Sequence, residues 1–186
     1  MKTLLSFSAF LLLITAQFLV PASMIWGQEK TLKSGVLYKF RCAPIDPADP
    51  FRGRYVALSV EENSVSNWKG GHVSHNQRVC AVLATGEDGF AKIQRISLKP
   101  PKEGDYIQVR IRGYSSRDGT IYLRLPIARF YMNEYQAPKA ERAYQRLSND
   151  EEDNVYVAVR VRKGSAVIED LFIGDSSIRN YLQESR

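Results

Sequence analysis

Residues 106–114 read Tyr106-Ile107-Gln108-Val109-Arg110-Ile111-Arg112-Gly113-Tyr114. Ile107, Val109 and Ile111 recur at every second position, with Gln108, Arg110 and Arg112 between them. Successive side chains of a strand point to opposite faces, so this period buries the apolar three and leaves the polar three in water. The pattern repeats along the chain. Val36 to Cys42 sets Tyr38, Phe40 and Cys42 against Leu37, Lys39 and Arg41, and Tyr55 to Val60 sets Val56, Leu58 and Val60 against Tyr55, Ala57 and Ser59. Arg78 to Thr85 and Gly89 to Leu98 read as a hairpin joined by Gly86-Glu87-Asp88-Gly89, and Ile121 to Leu125 as a strand returning after the turn at 115–119. Val155 to Val161 and Ala166 to Ile173 form a second hairpin about Lys163-Gly164.

Between these runs the period changes. Glu61 to Gln77 is polar and predicts a long exposed loop. Ala137 to Leu147 predicts a helix, with Pro138 suited to its first turn and Ala140, Ala143, Tyr144 and Leu147 on one face. Ile178 to Leu182 reads as a last helical turn. The expectation is an α+β fold, mainly antiparallel β: one domain over residues 35–186, with about eight strands and one or two short helices.

Ahead of that domain, Leu4 to Trp26 contains no charged residue. At about 1.5 Å per helical residue it reaches across a hydrocarbon core roughly 30 Å thick. The expected division is 1–3 cytoplasmic, 4–26 a transmembrane anchor through the lipid bilayer, and 27–34 a stalk. Lys2 and the terminal amine precede the span and favour an N-terminus in the cytoplasm, while Lys30 and Lys33 weigh the other way. The rival reading is a cleaved signal peptide, because Val20-Pro21-Ala22 resembles a small-residue cleavage step. The apolar run continues past Ala22 to Trp26, which suits an anchor better. Either way residues 30–186 are expected outside the cytoplasm.

The composition narrows the chemistry. The chain has 186 residues, 26 basic against 20 acidic, and a net charge of +6, with no dense Lys/Arg tract, so no nucleic-acid partner is expected. Two cysteines and two histidines are too few for a disulfide scaffold or a multi-histidine metal centre. Cys42 and Cys80 are the one candidate disulfide pair. A bridge between them would close a loop of about 40 residues, worth about 3–4 kcal/mol in the loop-entropy picture. The alternative is two separate buried thiols, since Cys packs as a small hydrophobe.

Pro44 to Val60 reads P-I-D-P-A-D-P-F-R-G-R-Y-V-A-L-S-V. It resembles the signature of the bacterial GDYXXLXY proteins, in which an apolar anchor and a strand lead into a Pro-x-Asp-Pro turn and an Arg-Gly-Asp-Tyr step. Pro44, Asp46, Pro47, Asp49, Arg52, Gly53, Tyr55 and Leu58 keep the pattern; Arg54 stands where the family has Asp, and Val60 where it has Tyr. The resemblance implies a membrane-anchored, extracytoplasmic, β-rich domain and carries no settled biochemical activity. A fainter echo links R-G-R-Y-V-A-L-S-V from Arg52 with E-G-D-Y-I-Q-V-R-I from Glu103. Strands that open with glycine look alike, so the echo alone does not establish duplication.

Asp46, Asp49, Arg52, Gly53 and Tyr55 are the candidate binding residues. Prolines reduce the entropy lost on binding, and two carboxylates and a guanidinium give directional contacts. The same residues can serve only to lock a turn through an Arg52–carboxylate pair. His72-Val73-Ser74-His75 lacks a third ligand, and the acidic run Asp150 to Asp153 lacks the spacing of a calcium loop, so no metal or cofactor is expected. Arg110, Arg112, Arg124, Arg129, Arg160 and Arg162 alternate on strands as a candidate basic face. In outline, an anchor, a β-domain and Lys92 are similar to the serine–lysine signal peptidases. The Ser-Met-Pro nucleophile step is missing, and Ser23-Met24 lies within the apolar run. The expected function is therefore a non-enzymatic binding or accessory domain for other membrane proteins, held in the inner membrane and facing the periplasm. The alternatives are a degenerate serine–lysine protease relative and a soluble domain released by cleavage.

Overall fold

The computed structural model describes residues 2–44, 55–66, 68, 71–148 and 154–184. Their order is α1 (Lys2–Ser34), β1 (Val36–Ala43), β2 (Tyr55–Ala57), β3 (Ser59–Val60), β4 (Ser64–Val65), β5 (Arg78–Thr85), β6 (Ala91–Ser97), β7 (Tyr106–Ser115), β8 (Thr120–Arg124), β9 (Arg129–Tyr131), α2 (Ala137–Leu147), β10 (Val155–Arg162), β11 (Ser165–Ile173), β12 (Ser176–Ser177) and α3 (Ile178–Glu184). Two five-stranded sheets, β12-β11-β10-β1-β3 and β4-β8-β7-β5-β6, accompany a two-stranded ribbon, β2-β9. All the strand pairs named here run antiparallel. The α+β, mainly antiparallel expectation holds.

One hydrophobic core lies between the sheets. Phe40, Val157 and Val159 from the first and Val79, Ala81, Ile107, Val109 and Ile111 from the second belong to the same buried cluster. The alternating positions expected inside β1 and β7 are buried, and those expected outside are mostly exposed. Tyr38 adds a polar tie: its hydroxyl donates to Asp105 Oδ2 at 3.1 Å. Arg41 adds another, lying 3.9 Å from the ring centre of Phe90 and 3.7 Å from the carboxylate of Asp88, both at the β5–β6 turn.

Both expected hairpins form. At the β10–β11 turn Lys163 and Gly164 have φ of 48° and 86°, the left-handed pair that a tight two-residue hairpin loop requires. Gly164 is also pressed against β7. Its carbonyl accepts from Gln108 N–H at 2.9 Å, and a Cβ there would lie 2.7 Å from the Tyr106 ring. The turn of the first sheet's hairpin is thus stitched to the second sheet's central strand. α2 spans the predicted residues, and Ala140, Ala143 and Tyr144 are buried as its apolar face.

Three expectations need correction. The strand expected over 55–60 is two short strands, β2 and β3, with different partners. Leu58 between them donates its N–H to Ala128 O at 2.9 Å, and the chain crosses from the ribbon to the first sheet there. Val56, Leu58 and Val60 all stay buried, so the apolar period survives a change of ladder partner that it cannot report. The loop expected over 61–77 contains β4, paired with β8, and Trp68 and Val73 packed against the core. Bridges of two residues are too short to show a period. Including β9 and β12, the described residues hold twelve strands rather than about eight.

The segment expected as a stalk is helical and continuous with the apolar run. α1 has 33 residues, about 50 Å of helix. Phe10 to Ser34 is long and apolar enough to cross a membrane. Apolar side chains from Phe7 to Trp26 stand exposed, Trp26 at 76%. At its end the helix meets the domain. Thr31 is buried, Gly35 N–H donates to Thr31 O at 2.8 Å, and Arg160 Nη1 donates to Gly35 O at 3.3 Å. A Cβ on Gly35 would lie 2.5 Å from Thr31 O and 3.0 Å from both Val161 N and Val161 O. Only glycine allows β10 this close to the helix end.

Candidate functional site

Asp46, Asp49, Arg52 and Gly53 lie outside the described residues, as do Asp150 to Asp153; Tyr55 is described. The described residues end at Pro44 and resume at Tyr55, and two devices tie β1 to the chain just after Tyr55. Cys42 and Ala43 pair with Val60 and Ser59. The Tyr144 hydroxyl donates to Ala43 O at 2.7 Å and accepts from Ser59 N–H at 3.3 Å. Tyr55 and Ala57 pair with Tyr131 and Arg129 in the ribbon. α2 therefore delivers one buried phenol that ties Ala43 to Ser59. Burial pushes the Tyr144 hydroxyl well above the usual phenol range, so it stays protonated and able to donate. Cys42 beside it is pushed up to about 12, mainly by burial, which makes it a poor nucleophile.

The β2–β9 ribbon carries a tyrosine surface. The rings of Tyr55 and Tyr131 meet at 5.7 Å, tilted by 58°, and the Arg129 guanidinium lies 5.0 Å from the Tyr55 ring centre. Tyr131 is 64% exposed and Tyr135 79%. Tyr55 was a candidate from the sequence. Tyr131 was not, because no period marks a three-residue strand, nor was Tyr135, which lies in the turn before α2.

The six arginines of the candidate basic face separate. Arg160 is paired with Glu169 and braces Gly35; Arg129 sits on Tyr55. Arg110 and Arg124 are directly opposite across β7 and β8, and Arg112 lies two residues further along β7. Arg78, which the sequence reading passed over, is directly opposite Arg110 on β5. Arg78, Arg110 and Arg124 thus form one row across three strands and line a hollow of about 330 Å³ with Gln108, Leu125 and Pro126. A second hollow of about 250 Å³ lies on the other side of Arg124, bordered by Arg112, Asn63 and Ser59.

The remaining candidates are dispersed. Cys42 and Cys80 are free, buried thiols. Cys42 points into the shared core, whereas Cys80 alternates with core-facing Val79 and Ala81 and so points out of the other sheet. The bridged arrangement is not formed; the separate-thiol alternative is what the geometry has. His75 Nδ1 lies 2.9 Å from Arg112 O, and among the described residues no group of three metal-ligating side chains assembles. Lys92 has a side chain 55% exposed, 3.6 Å from Glu62 Oε2, while the Ser23 hydroxyl donates to Val20 O within α1. The serine–lysine pair required by the protease outline is not brought together.

A two-sheet β domain, entered through an apolar helix of membrane-spanning length and closed at one end by a tyrosine-bearing ribbon, is the class these features define. The chain belongs to the GDYXXLXY protein family, whose profile matches residues 17–171. No curated protein and no solved structure matches it. The match explains what the kept signature positions do here: Leu58 fills the core at the crossover between ribbon and sheet, and Tyr55 builds the ribbon. Val60, in place of the family's tyrosine, is also buried. The echoing segment, with its Gly-Asp-Tyr step at Gly104 to Tyr106, opens β7 and reaches Tyr38 and Gly164, so the two echoed segments occupy unlike places.

Proposed function

We propose that this chain is a membrane-anchored, extracytoplasmic binding domain that serves other membrane proteins as an accessory partner. α1 holds it in the inner membrane with the β domain in the periplasm. The tyrosine surface of β2–β9, together with the segment carrying Asp46, Asp49, Arg52 and Gly53, contacts the partner. The observation that carries this reading is the exposure of Tyr131 beside Tyr55 and Arg129, with Tyr135 exposed four residues further along the chain. Tyrosine and arginine dominate the energetics of protein interfaces, because both combine apolar area with directed hydrogen bonds. The bare apolar helix supports the membrane part, since the eleven large apolar side chains described as exposed between Phe7 and Trp26 cannot stand in water at a tolerable free energy.

The test is co-purification of the tagged full chain from maltoside-solubilised membranes, beside Tyr131→Ala/Tyr135→Ala and with the intact mass recorded. The reading expects an uncleaved wild-type chain with a membrane protein bound and at least tenfold less of that protein with the double variant. Equal recovery with both chains would refute the surface. A chain shortened at Ala22 and recovered alone would favour the released domain; that cut leaves Thr31 and Gly35 in place, so the domain would survive it.

A further inference from the structure

Arg78, Arg110 and Arg124 stand directly opposite one another on β5, β7 and β8. Cross-strand neighbours lie about 5 Å apart at Cα, well within the reach of a guanidinium. Like charges placed directly opposite destabilise a sheet, and an outer face with only a solubilising role would alternate sign. Among the described residues that line the hollow with this row there is no carboxylate. The ion pairs Lys33–Glu29, Arg41–Asp88, Lys92–Glu62 and Arg160–Glu169 do not involve the row. Arg110 donates from Nη1 to Asn76 O at 3.2 Å, which fixes the central guanidinium over the strand. The row lines a hollow of about 330 Å³ rather than a flat face.

We infer that this hollow is a binding site for a phosphate group. Three guanidiniums offer three donor forks and three positive charges. A carboxylate fills one fork with one charge, whereas a phosphate presents several oxygens and up to two charges to more than one fork at once. Gln108, two residues before Arg110, adds a neutral amide beside the row. The site is independent of the tyrosine surface.

Its position bears on the source of the phosphate. Gln108 N–H donates to Gly164 O, in the β10–β11 turn. That turn is three residues beyond Val161, against which the end of α1 is seated through Gly35. Arg110 is two residues, about 7 Å of strand, further along β7 from Gln108. Through Gln108 the hollow therefore borders the β10–β11 turn, three residues from the strand on which the helix end is seated. A phospholipid headgroup and a free phosphorylated solute present the same chemistry here.

The experiment uses the full chain in maltoside, a detergent without phosphate, and compares it with Arg110→Gln. Adding inorganic pyrophosphate at constant ionic strength should raise the Tm of the wild type and leave that of the variant unmoved. Before addition the variant should match or exceed the wild type, because one repelling charge is gone; this guards against misreading a folding defect. If pyrophosphate has no effect, native mass spectrometry from nanodiscs of phosphatidylcholine with or without phosphatidic acid is the second arm. There the wild type should carry away phosphatidic acid at least tenfold more often than Arg110→Gln. A response to pyrophosphate assigns a soluble phosphate as sufficient; retention only of lipid assigns the headgroup. No response in either arm, or equal responses from wild type and variant, overturns the site.

Discussion

Two glycines eight residues apart should respond to the same substitution in opposite ways. At Gly27, within α1, a Cβ meets nothing within 4 Å. Alanine there replaces the least favourable non-proline helix residue with the most favourable, a gain of up to about 1 kcal/mol in the helix. At Gly35 a Cβ would lie 2.5 Å from Thr31 O and 3.0 Å from Val161 N and O. All three are backbone atoms, which cannot rotate away, so the helix end and β10 must separate by several tenths of an ångström. Overpacking of this kind costs about 1–3 kcal/mol. For a chain of this size each kcal/mol moves Tm by about 2–4 °C. Gly35→Ala should therefore melt about 2–12 °C below wild type, read by tryptophan emission of the full chain in maltoside, and Gly27→Ala should melt no lower than wild type. The seated junction would be refuted if Gly35→Ala melted within 1 °C of wild type.

Tyr144→Phe keeps the buried ring but removes the bonds to Ala43 O and Ser59 N–H; leaving such groups unsatisfied costs about 1–3 kcal/mol. The Ser59 amide should exchange at least tenfold faster in that variant, and unchanged exchange would show that the tie is dispensable. Stability should fall above about pH 9. Burial raises Cys42 from 9.0 to about 12, and burial with the Asp105 contact raises Tyr38 from 10.0 to about 12, so the native state holds both protons longer than the unfolded chain does. That contribution is complete below the unfolded values and is lost as pH climbs toward 12; a flat Tm between pH 8 and 11.5 would contradict it. A thiol assay of the denatured chain should find two free thiols, and reductant should leave Tm unchanged; a reductant-sensitive Tm would mean that Cys42 and Cys80 are bridged after all.

How far the sequence carried this account depended on element length. β1, β7, β10 and α2 each hold eight or more residues with a readable period, β5 is a continuous apolar run between turn residues, and all were legible. β4, β9 and β12 have two or three residues and no period to read, so the ribbon and the lining of the 61–77 segment were invisible. The arginine row was half legible. Alternation marked Arg110 and Arg124 as outward, but only register across three strands reveals that Arg78 stands opposite them. Gly35 looked like a strand opener; its close approach to Val161 joins residues far apart in the chain, and no local pattern encodes that.

The central claim is that a membrane-held domain meets its partner through the β2–β9 tyrosines. Its most direct test is in-cell photocrosslinking with benzoylphenylalanine in place of Tyr131, against the same group in place of Arg95, an exposed residue on the other sheet's β6. The account predicts one discrete adduct with a membrane protein from position 131, on an uncleaved chain in the membrane fraction, and none from position 95. Equal adduct patterns from the two positions, or no adduct from 131, would contradict it.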